Sequence, residues 1–197
     1  MRKSNKKKNV KNLSENYSAC FKFFKEIRWY VVFSLGLFAL FFIVGFIFPI
    51  FFRDEIFKFV LEMIAMMEGK SVFGIMQFIF LNNLKASFLS MIFGISFGIL
   101  PFFIGAFNGY LVGFVAREAV ATEGILVLWK LFPHGIFELP AIIFSIAIGF
   151  KIGTDLFRQD QKVRYNFREG FRFFVFVIFP LLLVAGIIEG SLIGIFN

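Results

Sequence analysis

Two uncharged stretches constrain this chain more than any other feature of its sequence. Residues 29–52 are 24 consecutive positions without a charged side chain, and residues 86–116 are 31. A helix of 24 residues is about 36 Å long, more than the roughly 30 Å hydrocarbon thickness of a bilayer. Only 17% of the chain is charged, whereas a soluble domain carries about 25%. The sequence therefore excludes a soluble globular protein and predicts an all-α, polytopic transmembrane helix bundle.

The scarcity of cysteine and histidine excludes several kinds of site. Cys20 is the only cysteine and His134 the only histidine among the 197 residues. An intramolecular disulfide, a four-cysteine zinc site, an iron–sulfur cluster and a multi-histidine metal centre all need more of these ligands. We therefore expect neither a metal nor a cofactor.

Charge and proline positions divide the chain into a tail and one transmembrane domain. Residues 1–28 hold nine Lys/Arg against two acids and are predicted as a basic cytoplasmic tail, followed by a single helical domain over residues 29–197. The 31-residue stretch is too long for one ordinary span, and proline breaks a helix unless it lies in the first turn, so we divide this stretch at Pro101. The predicted spans, about five in number, cover residues 29–52, 74–100, 101–121, 135–156 and 171–196.

The distribution of basic residues predicts the orientation of these spans. With the N-terminus inside, five spans place 15 Lys/Arg on the cytoplasmic side and 6 outside, as the positive-inside rule favours. A four-span arrangement would move the six basic residues of 151–172 to the outer face. We therefore predict a multi-pass protein of the plasma membrane with a cytoplasmic N-terminus and an external C-terminus.

Two segments between the spans have patterns of their own. Within residues 53–70, apolar positions recur at helical spacing opposite Glu55, Lys58 and Glu62. This pattern predicts an external amphipathic helix that lies in the membrane interface or on the protein's own spans, or else serves as a docking face for an extracytoplasmic partner. Residues 125–132 are mostly apolar but too short to span, which favours an interfacial helix or a re-entrant half-helix.

The loop predicted over residues 151–172 carries six Lys/Arg. Cytoplasmic loops are basic as a rule, so we interpret this loop as a topology determinant that also contacts anionic lipid. Neither a folded domain nor an interleaved aromatic platform accompanies the charge. We therefore expect no nucleic-acid partner.

Glycines recur at four-residue intervals along several predicted spans. They are Gly94 and Gly98, then Gly105, Gly109 and Gly113, and finally Gly186, Gly190 and Gly194. Small residues at this spacing give a flat stripe where another helix can approach closely. We interpret the stripes as helix-packing surfaces within the bundle. The alternatives are contacts between copies of the chain or with another membrane subunit.

Polar residues in the predicted spans form a candidate intramembrane polar site. Its members are His134, Glu138, Asn82, Asn83, Lys85 and Asn108. A charged residue at a helix centre costs about 2.5–3.5 kcal/mol on insertion scales, so such residues usually face the bundle and pair. His134 and Glu138 are four residues apart and share one helix face if the helix begins at Pro133. The pair suits a structural contact to Asn82, Asn83 or Lys85, a proton or cation site, or one half of the metal site of an intramembrane hydrolase.

Several of these residues together resemble the stage II sporulation protein M family, over about residues 72–196. They are Asn82-Asn83, Ala86, Gly94, Gly98, Pro101, Asn108, Gly113 and, most specifically, the run Pro133-His134-Gly135-Ile136-Phe137-Glu138-Leu139-Pro140-Ala141. The resemblance implies a small polytopic membrane protein of about five spans with no established catalytic activity. In spore-forming bacteria the family's namesake is a component of the engulfment machinery that acts with extracytoplasmic cell-wall hydrolases.

These observations predict a non-enzymatic scaffold or complex subunit of the plasma membrane. It would position partner proteins through the glycine stripes and the external amphipathic helix. The expected partners are membrane lipids and other membrane or extracytoplasmic proteins, or further copies of the chain. The alternatives are a transporter or channel subunit in which His134 and Glu138 line a polar path, and an intramembrane hydrolase with Glu138 as general base.

Overall fold

The computed structural model describes the backbone of residues 2–196 and the side chains of residues 13–128 and 135–192. This described part of the chain is helical and contains no β-strand. The elements in chain order are α1 (Arg2–Ile47), α2 (Arg53–Ala65), α3 (Val72–Ile92), a 3₁₀ turn (Phe93–Ser96), α4 (Ile99–Glu123), a second 3₁₀ turn (Ile125–Val127), α5 (Leu128–Phe157), α6 (Val163–Phe173), a π-helical segment (Phe174–Ile178) and α7 (Phe179–Phe196).

Five helical segments are long and apolar enough to cross a membrane. They are Leu13–Ile47, Val72–Ser96, Ile99–Glu123, Gly135–Phe157 and Val163–Leu192. The prediction of an all-α protein with five spans is confirmed. The number of spans could be read from the sequence because the bilayer requires each one to be a long apolar run whose backbone hydrogen bonds are made internally.

The first helix extends far into the segment predicted as a basic tail. Helix α1 is continuous from Arg2, and Cys20, Phe23 and Ile27 on one of its faces are buried in the core. These three residues are separated by three and then four positions, the spacing of one apolar helix face. The helical domain therefore begins well before residue 29, because packing against the other helices stabilises the extra turns.

The 31-residue stretch is divided into two spans, but the break lies at Phe97 and Gly98, a few residues before the predicted boundary at Pro101. After α3, the 3₁₀ turn ends at Phe97 and Gly98, whose φ angles of 59° and 85° are left-handed. The hydroxyl of Ser96 accepts a hydrogen bond from the Leu100 backbone N–H at 3.0 Å. Pro101 lies in the first turn of α4, where its missing N–H removes no helical hydrogen bond.

Two further boundaries differ from the predicted ones. Residues 125–132 do not form a separate helix, since a 3₁₀ turn leads directly into α5 at Leu128. The fourth helix therefore begins before Pro133, which is not in its first turn. In the predicted loop over residues 151–172, only 158–162 are non-helical, and α6 continues through the π-helical segment into α7.

Helix α5 occupies the centre of the bundle. In the most apolar 18-residue stretch of α5, 56% of the residues are buried inside the protein, whereas in the corresponding stretch of α1 only 22% are buried. Helices α1, α3, α4 and α7 all pack against it, and its residues Ile146, Ala147 and Ile148 are fully buried. A polar side chain on α5 is therefore brought close to several other helices at once.

Candidate functional site

Three polar side chains from different membrane-spanning helices meet in the bundle. The side-chain amide of Asn83 on α3 and the carboxylate of Glu189 on α7 both lie near enough to the carboxylate of Glu138 on α5 to interact with it. All three residues are partly buried. They come together because α3, α5 and α7 pack pairwise against one another. We refer to Asn83, Glu138 and Glu189 as the carboxylate cluster.

Two neighbours of Asn83 on α3 point elsewhere. Asn82 and Lys85 are exposed, whereas Asn83 is partly buried. Successive residues of an α-helix are about 100° apart around its axis, so residues one or two positions away do not share the face of Asn83. Of the three contacts considered for Glu138, the structure therefore selects Asn83.

Of the two remaining predicted members, Asn108 makes a contact of its own outside this cluster. Asn108 of α4 donates its side-chain amide to the backbone carbonyl of Ile104 at 2.7 Å. It lines a mostly apolar groove between α3 and α4, together with Ala86 and Phe103. His134 lies outside the described side chains, so its pairing with Glu138 stays a prediction. Within the described residues, no group of three His, Cys, Asp or Glu side chains could hold a metal ion.

A second polar cluster, which was not predicted from the sequence, joins α5 to α6. Asp155 and Asn166 are only 2% and 1% exposed. Lys151 donates to the Oδ1 of Asp155 at 2.6 Å, while Asn166 donates its amide to the other carboxylate oxygen. Lys151 and Asp155 are four residues apart on α5, a common spacing for a helical ion pair. This spacing alone could have indicated the ion pair, but it could not predict that Asn166 of α6 would hydrogen-bond to Asp155 and bury it.

Glu169 forms a second buried ionic contact, and it lies on the same buried face of α6 as Asn166. It is 4% exposed, and its carboxylate accepts hydrogen bonds from Arg168 at 3.1 Å and from Arg172. A buried carboxylate is costly unless it is paired and hydrogen-bonded. Asp155 and Glu169 both meet this condition, so neither acid is free to react. The hydrogen bond from Asn166 to Asp155 joins α6 to α5, whereas Glu169 pairs with arginines of its own helix.

The glycine stripes lie at helix crossings inside the chain. Gly109 and Gly113 of α4 face the backbone of α1 at Phe38 and Phe42. An added Cβ at Gly109 would lie only 2.6 Å from the Phe38 carbonyl oxygen. The same kind of close approach recurs elsewhere: Gly94 faces Gly149, Gly98 faces Phe150, Gly105 faces Leu37 and Ile146, Gly186 faces Phe80, and Gly190 faces Met76. Gly194 lies outside the described side chains. The stripes are thus occupied by contacts within one chain.

The predicted amphipathic helix, α2, contacts the end of the α1–α4 pair. Ile56 is 2% exposed and packs with Tyr110 and Phe114 of α4. The hydroxyl of Tyr110 also accepts a hydrogen bond from the Phe51 backbone N–H at 3.1 Å, which fixes the turn before α2. On another side of α2, Leu61 is 62% exposed. Helix α2 therefore has one face on the bundle and an apolar side chain that no described residue covers.

Comparison with known proteins identifies a single family over most of the chain. The sequence profile of the family described as Stage II sporulation protein M matches residues 11–192. Two similar proteins are known from Methanocaldococcus jannaschii, the uncharacterized proteins MJ0793 and MJ0706. No solved structure matches the chain.

The similarity to these two relatives is partial. The chain is 33% identical to MJ0793 over 115 residues, which cover 55% of this chain and 65% of the relative. It is 31% identical to MJ0706 over 119 residues, which cover 56% of this chain and 52% of the relative. The matched regions span less than two thirds of either relative, and neither relative has a described activity.

Proposed function

Because the chain belongs to the Stage II sporulation protein M family, we propose that it is a non-enzymatic scaffold of the plasma membrane that holds a partner protein through helix α2. The partner binds on the side that the positive-inside rule predicts to be external. The sequence lacks a recognisable catalytic set, and the buried acids Asp155 and Glu169 are each paired with a cation. Such pairing suits a structural role better than chemistry.

The surface of α2 is the observation that carries this proposal. Leu61 is 62% exposed, and Lys58 and Glu62 beside it are exposed as well. Charged groups next to Leu61 disfavour its burial in hydrocarbon, because moving charges out of water is costly. Protein contact surfaces commonly have an apolar centre surrounded by a polar rim, and Leu61 with its charged neighbours fits that arrangement.

The glycine stripes no longer serve as the partner surface in this proposal. Gly94, Gly109, Gly113 and Gly190 already face other helices of the same chain. A stripe can accommodate only one helix at its closest approach. The recruiting role is therefore assigned to α2 alone.

Site-specific photo-crosslinking in native membranes tests the proposal. A photoreactive residue at position 61 should give a discrete adduct with another protein. The matched control is position 43 on α1, because Ile43 is also exposed (52%) but belongs to a membrane-spanning helix. We expect no protein adduct at position 43. Absence of an adduct at position 61, or identical adducts at both positions, would count against α2 as the partner surface.

A substitution makes the same test quantitative. Leu61→Glu should reduce recovery of the crosslinked partner after mild-detergent affinity purification about tenfold or more, because losing a hot-spot anchor costs about 2 kcal/mol or more and about 1.4 kcal/mol is already tenfold. The exposed position predicts little effect on folding. Ile43→Ser provides the control. Equal partner recovery from the Leu61→Glu variant would refute the assignment.

The carboxylate cluster favours a second candidate function, a proton or cation site of a transporter or channel subunit. Two carboxylates from α5 and α7 with an amide from α3 offer oxygen ligands within the membrane-spanning region, and ionisable residues there often belong to proton or ion pathways. Glu138→Gln keeps the shape and removes the charge. Purified protein in liposomes should then lose proton or cation flux, whereas no flux from the wild-type protein would eliminate this candidate.

A further inference from the structure

Helix α6 presents two chemically different faces. Asn166, Glu169 and Phe173 are buried against the bundle. On the outside, Arg164 and Arg168 lie one helical turn apart and line a groove of about 910 Å³ that also contains Tyr165. Residues at positions i and i+4 are neighbours on a helix surface. The two guanidinium groups can therefore act on one bound group.

The charges on this outer face are only partly balanced. The buried carboxylates of Glu169 and Asp155 already have cationic partners, Arg172 and Lys151. Arg168 contacts the Oε1 of Glu169 through both its Nε and its Nη2, each at 3.1 Å, yet its side chain is 70% exposed. Among the described side chains, no carboxylate forms a salt bridge with Arg164. The outer face of α6 thus has cationic groups available for an anion.

The neighbouring turns provide further positive charge. Lys162, just before α6, is exposed, although Asp160 accepts a hydrogen bond from its backbone N–H at 3.0 Å. Tyr165 donates its hydroxyl to Glu26 of α1 at 3.2 Å. Exposed Lys22 lies one turn before Glu26 on α1. The groove therefore lies beside a second basic helix surface, and cations outnumber the two acids around it.

The position of α6 along the chain indicates which anion is present. Helix α6 continues without a break into the membrane-spanning α7, so the groove lies at the level where a span leaves the hydrocarbon. Phe171, one turn after Phe167 in the groove lining, is 50% exposed and can contact an acyl chain. We propose that Arg164 and Arg168 bind the headgroup phosphate of an anionic phospholipid. Guanidinium groups bind phosphate oxygens in a bidentate manner that a point charge cannot reproduce.

Native mass spectrometry of the purified full-length protein tests this site. Phosphatidylglycerol and phosphatidylcholine with identical acyl chains are titrated separately, so that only the net charge of the headgroup differs. The wild-type protein should bind phosphatidylglycerol about tenfold more tightly than phosphatidylcholine. Equal binding of the two lipids would overturn the proposal.

Substitutions then locate the site. Arg164→Gln should weaken phosphatidylglycerol binding about fivefold, because one basic residue near anionic lipid contributes about 1 kcal/mol. The double variant Lys162→Gln/Arg164→Gln removes two charges and should weaken binding roughly 30-fold. Arg164→Lys keeps the charge but loses the bidentate geometry, so it should restore only part of the affinity that Arg164→Gln loses. The control Lys58→Gln removes an exposed charge from α2 and should leave binding unchanged; an effect equal to that of Arg164→Gln would contradict the assignment to α6.

A competition experiment separates a lipid from a soluble anion. Excess glycerol 1-phosphate carries the same phosphate chemistry without acyl chains. It should displace phosphatidylglycerol only weakly, because the proposed site also contacts the membrane-anchored chains. Displacement at concentrations similar to those of the lipid would assign the groove to a soluble phosphate and refute the lipid proposal.

Discussion

Substitution of Gly109 by alanine tests how closely α1 and α4 pack. An added Cβ would lie 2.6 Å from the carbonyl oxygen of Phe38 and 3.2 Å from its Cα, with the Cβ of Phe41 also at 3.2 Å. Real Cβ atoms essentially never come within 3.0 Å of such neighbours. Because two of these three atoms belong to the backbone, a side-chain rotation cannot relieve the contact. The two helices must therefore separate.

The magnitude follows from two opposing effects. Inserting a methyl group into a well-packed contact costs about 1–3 kcal/mol, whereas replacing a helical glycine by alanine stabilises the helix by roughly 0.5–1 kcal/mol. Gly36 of α1 provides a matched control, because an added Cβ there meets nothing within 4 Å. Both substitutions gain the same helix propensity, so this contribution cancels when the two variants are compared. The Gly109→Ala variant should therefore be less stable than Gly36→Ala by about 1–3 kcal/mol, the cost of the contact alone.

Equilibrium unfolding in mixed detergent micelles measures this difference. Both variants and the wild-type protein are unfolded under one set of conditions, and their free energies of unfolding are compared. Gly36→Ala is expected to be as stable as the wild type or slightly more so. If Gly109→Ala matched Gly36→Ala, the close crossing of α1 and α4 described above would be wrong.

Three further predictions use the same measurement. Asp155→Asn removes the buried carboxylate that pairs with Lys151 at 2.6 Å and should cost about 3 kcal/mol, the low end of the range for breaking a buried pair; adding Lys151→Met should recover part of that loss. Tyr110→Phe leaves the Phe51 N–H without its 3.1 Å acceptor and should lower the free energy of unfolding by about 1–3 kcal/mol. It should also speed proteolysis of the turn before α2, and an unchanged cleavage rate would show that Tyr110 does not fix this turn. Gly98→Ala forces alanine to φ 85° and should cost about 1–2 kcal/mol, and a stability equal to the wild type would show that the turn before α4 can rearrange.

The sequence could predict the features that depend on short stretches of chain. The five spans follow from apolar runs long enough for a bilayer, and the break before α4 follows from Pro101. Family membership was recognisable from the run around Glu138, and the family profile covers residues 11–192. Local signals failed at boundaries where packing extends a helix, as at Phe23 of α1.

The candidate sites depended on more than the sequence. Asn82 and Asn83 are equivalent in a search for polar residues in spans, yet only Asn83 reaches Glu138. Likewise, Lys151 and Asp155 have the spacing of many exposed ion pairs, and nothing nearby in the sequence shows that Asn166 covers them. Which side chains meet is decided by the rotation and crossing of whole helices.

The sequence by itself therefore determined the number of membrane spans, the presence of a break just before Pro101 and the positions of the glycine stripes, because hydropathy, proline chemistry and residue size act locally along the chain. Only the tertiary structure decided which helices those glycines bring together. That pairing fixes the orientation of each helix, and with it the carboxylate cluster, the buried Asp155 contact and the basic outer face of α6. These sites join residues far apart in sequence, so their geometry exists only once the bundle has packed.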